Sequence, residues 1–577
     1  MRVPKPISAI AGKFSRYLRD STATTSAIFG IAAIPVFMGA GVAIDMSRAN
    51  MEQTAFHAAL DSAALAIAAD DRSSTQGLSD TQITAREADL KVIAQDYVTA
   101  NYRNTSFSAE ITSLDVQITG QDVTLTATAQ FPTTIMGLFG IDYLDLEFLS
   151  RIKKAMMPIE LVMVMDTTGS MASSGKIDGA KAAAHQLLNT LYSGSLGSAP
   201  RSEYLRTALV PFSGAVRLDQ TAFDFNLNWI DTTGVNPLSK LNFNQSIAAP
   251  AAWNNYYAWS KIKKSSSAYY SWNGCVEARL RGSTVDVDDF NVNDVAPNSG
   301  TPATLFPAYF NPDTPGSSYG ANYITGTSTT SVGSECKGLT STVCSSTTTA
   351  NLYMKQENYQ KYVDKNVGAE STSTNGPWSN CTASEIVPMT YDRAKVEAGI
   401  DSMAASGPTV IPEGLAWGWK AISPTEPFTR VEGSGAIAAA NIAPYHDVRW
   451  QKILVLMTDG DNDVGPGNYS LNGTTYTAYG RQTETLATNR FGTTATSSVE
   501  AALDTSMSTI CTKVKDRGVK VYVAAFGTGI SAATKQLLHD CSSGPEYYAE
   551  ATTSADLTAF FDHIGQDVLN KSIYVAN

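Results

Sequence analysis

The apolar and polar positions of this chain fall into successive regimes. An uncharged, apolar run extends from Ala27 to Ile44; wound as a helix at about 1.5 Å per residue it would reach roughly 27 Å, near the hydrocarbon thickness of a bilayer. It passes without a break into a stretch where Phe56, Leu60, Ala63, Ala64 and Ile67 keep one face apolar, which predicts an amphipathic helix. The Ser/Thr/Gly-rich segment from Ser73 to Ser79 ends it, and a second helix is expected around Arg86 to Tyr102. The period then drops to two. Leu114, Val116 and Ile118, and beyond the turn at Gly120 to Asp122 also Val123, Leu125, Ala127, Ala129 and Phe131, alternate with polar residues as in a half-buried hairpin.

From Pro158 the pattern changes again. "IELVMVMD" is a nearly continuous apolar run of strand length, "KIDGAKAAAHQLLNTLY" reads as helix and "RTALVPFSGAV" as strand. The same alternation returns later with "KILVLMTDG", the helix "VEAALDTSMSTICTKVKDRG", the strand "VKVYVAAFG", the helix "SAATKQLLHDC" and a last helix from Ser554 to Leu569. Strands alternating with helices predict an α/β fold, one doubly wound, mostly parallel sheet covered on both faces. The expected organisation is a basic tip at 1–26, a transmembrane helix at 27–44, a small helical and β-hairpin stalk at 45–155, and the α/β domain at 156–577 with an insertion at about 217–390. The insertion is rich in Trp, Tyr, Asn, Ser and Thr, and its stretch "GTSTTSVGSECKGLTSTVCSSTTT" cannot build a core. Its aromatics Trp253, Tyr256, Tyr257, Trp259, Tyr269, Tyr270 and Trp272 are expected to pack inside it rather than to form an exposed platform for a sugar or protein.

At 577 residues, 43% apolar and 17% charged, the chain is expected to hold more than one folded unit. Its net charge of -12 argues against nucleic acid as a partner, since no basic stripe occurs outside the tip. Arg2, Lys5, Lys13, Arg16 and Arg19 at that tip precede the apolar run, which by the positive-inside rule predicts export of everything C-terminal to it. A cleaved signal peptide, with Gly41 and Ala43 before the cut, is the alternative; the unbroken passage into the amphipathic helix favours a retained anchor. Six cysteines all lie on the predicted exported side and none has zinc-ligand spacing, so disulfides are expected. Cys511 and Cys541 flank the strand "VKVYVAAFG" and are read as a pair; closing a loop of about 30 residues contributes roughly 3 to 4 kcal/mol in the chain-entropy picture. Cys275, Cys336, Cys344 and Cys381 leave three pairings open.

Candidate chemistry gathers at predicted strand ends. Asp166 ends the first buried strand and opens "DTTGSM"; with Thr168 and Ser170 it offers three oxygen donors from a loop that Gly169 allows to turn sharply. Asp459 ends another buried strand at "LMTDGDND", and Thr409 lies in the loop "SGPTVIPEGLAWGW" before a helix. Hard oxygen ligands without Cys or His suit Mg²⁺ or Mn²⁺, and two carboxylates with hydroxyls leave room for water or an incoming acidic group. The bland reading is that Thr168 and Ser170 only cap the following helix and that the aspartates only turn the chain. Against it, two carboxylates facing one crevice repel each other unless a cation lies between them.

At these residues the chain resembles the von Willebrand factor type A fold with its metal-ion-dependent adhesion site, whose pattern is Asp-x-Ser-x-Ser, a distant Thr and a distant Asp. Asp166, Thr168 and Ser170 match the first element with Thr for the first Ser; Thr409 matches the distant Thr in GPT rather than GGT, and Asp459 the distant Asp. The N-terminal stretch "STATTSAIFGIAAIPVFMGAGVAIDMSRANMEQTAFHAALDSAALAIAA" resembles TadE/TadG-like proteins of tight-adherence (Flp) pilus assembly: a basic tip, a Pro-containing span, an Asp-x-x-Arg-like exit at Asp45 and Arg48, and an Ala-rich helix. "GLAWGWKAISPTEPF" resembles the TadG-like members that carry a type A domain. The resemblance implies a non-enzymatic component in the bacterial inner membrane with its C-terminal domain in the periplasm, gripping pilus or other envelope proteins through the metal.

The five histidines, His57, His185, His446, His539 and His563, fall in no motif with a nucleophile. A metal-assisted hydrolase would need Glu413 or Asp461 as its base. A third reading makes the metal site vestigial and the protein a structural spacer.

Overall fold

The computed structural model describes residues 24–70, 79–102, 109–119, 122–193, 204–244, 250, 253–279, 289–314, 323–324, 336–367, 376–425, 427–465, 475–481, 496–571 and 573–576. The basic tip, most of the Ser73 to Ser79 segment, the tip of the hairpin turn and much of the Ser/Thr-rich insertion stretch lie outside them. The chain divides into two compact units, one of Met1–Ala155 with Ser195–Gly197 and Ile573–Asn577, the other of Met156–Gly194 with Ser198–Ser572.

In the first unit one helix, α1 (Thr24–Ala69), runs through Pro35 from the apolar stretch into the amphipathic one. Among the described residues it is the one helix long and apolar enough to cross a membrane. Its second half buries Phe56, Leu60, Ala63, Ala64 and Ile67 completely. They pack with Leu90, Ala94 and Val98 of α2 (Asp80–Asn101) and the inward residues of a sheet. Helix α2 starts six residues before the expected position, because Ser79 and Gln82 form a capping box in which the Ser79 N–H donates to Gln82 Oε1 at 2.9 Å. β1 (Glu110–Thr119) and β2 (Asp122–Pro132) form the antiparallel hairpin. β3 (Tyr143–Met156), a strand that the hairpin pattern does not predict, pairs antiparallel with the whole of β2. The strand Ile573–Ala576 adds to β3 as the fourth member.

The second unit is built on seven strands. They are β4 (Ile159–Asp166), β5 (Leu205–Phe212), β6 (Arg217–Leu218), β7 (Glu385–Thr390), β8 (Gln451–Thr458), β9 (Lys520–Phe526) and β10 (Tyr548–Ala551), and the sheet order is β10-β9-β8-β4-β5-β7-β6. β10, β9, β8, β4 and β5 are mutually parallel, and β7 runs antiparallel to β5. β7 belongs to the sheet although its residues were read as the end of the insertion. The order reverses between β4 and β8, which opens the crevice of a doubly wound sheet at their carboxyl ends.

Alternation along β4 explains why it reads as a continuous apolar run. Leu161, Met163 and Met165 face α3 (Lys176–Ser193), α4 (Arg393–Ser402) and α8 (Ser554–Lys571). Val162 and Val164 face the opposite core, which contains α5 (Ile411–Ile422), α6 (Thr496–Asp516) and α7 (Ala532–Cys541). The insertion has no separate centre: Trp253, Trp259 and Trp272 are buried in that second core together with Trp417 and Trp419 of α5, while Tyr269 is exposed. Cys511 bonds to Cys541 with Cα atoms 5.1 Å apart, Cys275 to Cys381 and Cys336 to Cys344.

Candidate metal centre

The register of the two central strands sets the site. Met165 lies opposite Met457, so Asp166 and the Thr458–Asp459 pair emerge side by side at the crevice. Asp166 is completely buried. Its Oδ1 accepts the Thr168 N–H at 2.7 Å, and its Oδ2 accepts the Thr458 hydroxyl at 2.7 Å and the Asp459 N–H at 3.4 Å. Burial, and then the charge of Asp459, push its carboxyl up to about 6.

The loop after β4 is locked to the loop that carries Thr409. Gly169 N–H donates to Gly407 O at 2.8 Å and Ser406 N–H to Thr167 O at 2.8 Å, with Gly407 at φ +88, a left-handed conformation suited to glycine. Thr409 exchanges two backbone hydrogen bonds with Asp463, at 3.1 and 2.8 Å, which ties the same loop to the one after β8. A Cβ added at Gly460 would lie 3.8 Å from Thr409 Oγ1 and 3.9 Å from Ser170 Oγ, so both hydroxyls converge on that loop. Ser170 Oγ donates to Asp459 Oδ1 at 2.5 Å and lies 3.0 Å from Thr168 Oγ1. All five residues singled out from the sequence, Asp166, Thr168, Ser170, Thr409 and Asp459, therefore meet at one place, buried except at Ser170, which is exposed.

The helix-capping reading of the hydroxyls finds no support in these contacts. Thr168 precedes the short 3₁₀ turn Gly169–Ala172 but makes no side-chain capping bond. Two partners were missed in the sequence. Thr458, directly before Asp459 in "MTDG", holds Asp166; Lys176, read only as a helix start, places its Nζ 2.8 Å from Asp459 Oδ2. The bases invoked for a hydrolase have other partners: Glu413 Oε1 accepts the Trp417 indole N–H at 2.9 Å, and Asp461 Oδ1 accepts the Ser531 N–H at 2.9 Å. His185 pairs with Asp401 and His539 with Asp540.

The donor chemistry fits a hard divalent cation. Two neighbouring carboxylates, one of which already has the Lys176 ammonium beside it, stand among the hydroxyls of Thr168, Ser170 and Thr458, a donor set made of oxygen alone. Among the described residues no three His, Cys, Asp or Glu side chains gather to hold a metal, so such a cation would rely on these hydroxyls and on water or an incoming ligand.

Residues 23–71 match the family model described as "Putative Flp pilus-assembly TadE/G-like". A search of curated proteins finds no match. Among solved structures, the pilus adhesin SpaC from Lactobacillus rhamnosus GG is similar at 11% identity and a TM-score of 0.30, over 82% of this chain and 35% of that one, so this chain spans about a third of SpaC. The von Willebrand factor domain of the type V pilus tip protein Mfa5 from Porphyromonas gingivalis matches at 10% identity and a TM-score of 0.28, over 72% and 96%. Proximal thread matrix protein 1 from the mussel byssus, solved with zinc in its MIDAS motif, matches at 10% identity and a TM-score of 0.19, over 73% and 97%. This chain thus carries a TadE/TadG-like segment at residues 23–71, followed by an α/β domain built on a doubly wound, mostly parallel sheet.

Proposed function

We propose that the protein is a membrane-anchored, non-enzymatic component of pilus assembly or surface adhesion whose metal centre grips an acidic side chain of an envelope protein. The observation that carries this reading is the convergence of Asp166, Thr168, Ser170, Thr409 and Asp459 at the topological switch point, where the Ser170 hydroxyl donates to Asp459 and Thr168 makes no capping bond. Mg²⁺ is the cation best suited to such ligands, with Mn²⁺ next. An incoming carboxylate would complete its coordination and supply the grip. Helix α1 holds the chain in the inner membrane as a single span, and the C-terminal domain lies in the periplasm, where three disulfides among the described residues would persist.

One observation favours the spacer reading. Lys176 brings a cation of the chain's own to Asp459, which a vestigial site could keep in place of a metal. The readings separate when the full-length protein is drawn from gently solubilised membranes in Mg²⁺, in chelator, and as Asp166→Ala. Partners present in Mg²⁺ and lost in both other samples are the expected result; the same partners in all three would leave the spacer.

A further inference from the structure

The connection between β2 and β3 is a tightly bonded turn fastened to α1. Within it Thr133 N–H donates to Asp142 O at 3.0 Å, Leu138 N–H to Ile135 O at 3.2 Å, and Ile141 N–H to Met136 O at 3.2 Å. The fastening is the Asp45 carboxylate, completely buried, which accepts the N–H groups of Thr134 at 3.3 Å, Ile135 at 2.8 Å and Met136 at 2.7 Å. Arg48 adds a bond to Thr134 Oγ1 at 3.2 Å. One helical turn before Asp45, Gly41 has no room for a Cβ because the Ile135 side chain fills that space. The Asp-x-x-Arg element at the end of the apolar run is thus the clasp for this turn.

Beyond the clasp the turn points large apolar groups outward. Leu138 is 80% exposed, Tyr143 58%, Ile141 46% and Phe139 45%. Asp142 is the one charged residue between Thr134 and Tyr143. Such a cluster on a fixed turn is unusual on a surface that meets only water. Its height is set by the clasp: Gly41 and Asp45 bracket the end of the apolar run at Ile44, where a spanning helix leaves the hydrocarbon.

We infer that the turn of residues 137–143 is an interfacial wedge, seated in the lipid of the same bilayer that α1 crosses. The inference rests on reading α1 as a membrane span. Lipid is the occupant because Ile34, 59% exposed, and Phe37, 72% exposed, lie two turns and one turn before Gly41 on the same helix, so the turn is fastened directly beyond an exposed apolar stretch of α1. Tyr143 supplies the aromatic and polar character that interfaces favour. A second fixed contact with the bilayer sets the rotation and tilt of α1, which a single helix leaves free.

The test uses full-length, disulfide-bonded protein in vesicles of phosphatidylethanolamine and phosphatidylglycerol. None of its six cysteines is free, so Leu138→Cys introduces one reactive thiol for an environment-sensitive fluorophore. Ile34→Cys serves as the span reference and Asp115→Cys, on the exposed part of β1, as the aqueous one. The expected result is blue-shifted emission from Leu138→Cys, quenched by lipid nitroxides and most strongly by those near the headgroup. Ile34→Cys is then quenched by deep nitroxides and Asp115→Cys by neither. Quenching at Ile34→Cys with water-like, unquenched emission at Leu138→Cys overturns the wedge and leaves the span standing. If neither position is quenched, the span and the wedge fall together.

Discussion

Single residues in this protein reveal their roles through charge that is buried and paired. Glu160, on β4 far from the crevice, is completely buried and accepts from Arg206 at 2.7 Å, from the Ala443 N–H at 2.8 Å and from Lys452. Arg206 also lies over the Trp450 ring at 3.8 Å. Removing one member of such a cluster strands the others without counter-charge, so Glu160→Ala is expected to cost about 3 to 5 kcal/mol, read as a lowered midpoint in denaturant unfolding of the intact protein. Lys176 is the opposite kind of residue. Its amine holds an oxygen of Asp459 that a divalent cation would need, and its side chain is 20% exposed, so it can swing away. Lys176→Met should therefore bind Mn²⁺ more tightly, by roughly five-fold or more, because it leaves a buried carboxylate without its counter-charge. Weaker binding would instead make Lys176 a support of the site. Asp166, Thr168, Ser170, Thr409 and Asp459 were legible in the sequence because each sits at a strand end or before a helix. Lys176 and Thr458 were not, because a lysine opening a helix and a threonine ending a strand look ordinary until the fold brings them to a carboxylate.

Elements pack here through glycine where backbones must approach. Helix α5 lies on the sheet with Gly418 against Val164 and Gly414 against the Phe212 ring, and a Cβ at either position would overlap its neighbour. Gly418→Ala is expected to destabilise the domain by about 1 to 3 kcal/mol, because overpacking a buried contact outweighs the helix propensity that Ala gains. A Tm unchanged or raised in a thermal unfolding scan would mean that α5 can shift. Pattern identified the buried strands well: β4, β5, β8 and β9 are short apolar runs at regular intervals, and their flanking helices carry one apolar face. β3 escaped, since Asp145, Glu147 and Arg151 face outward and the inward set Leu144, Leu146, Phe148 and Ile152 is diluted by that charge. β7 escaped for a different reason: "EIVPMT" contains a proline and follows a long polar insertion, and only its edge-side pairing with β5 and the two-residue β6 makes it a strand.

At the scale of the whole molecule, the long segment between β5 and β8 belongs to the core of the α/β domain. The insertion was expected to pack its own aromatics, yet Trp253, Trp259 and Trp272 share one core with α5, so the segment between β5 and β8 stabilises the sheet rather than hanging from it. The Cys275–Cys381 bond closes that segment, a connection sequence could not choose among three. The α/β domain thus presents a crevice backed by core and flanked by loops hydrogen-bonded to one another, the proposed seat of a divalent cation. Whether that cation binds is read by a calorimetric titration of the full-length protein in detergent with Mg²⁺ and Mn²⁺. The expected result is one site per chain, lost in Asp166→Ala and in Asp459→Ala and retained in Asp461→Ala. No binding to the native chain, or binding unaltered by Asp166→Ala and Asp459→Ala, would contradict it.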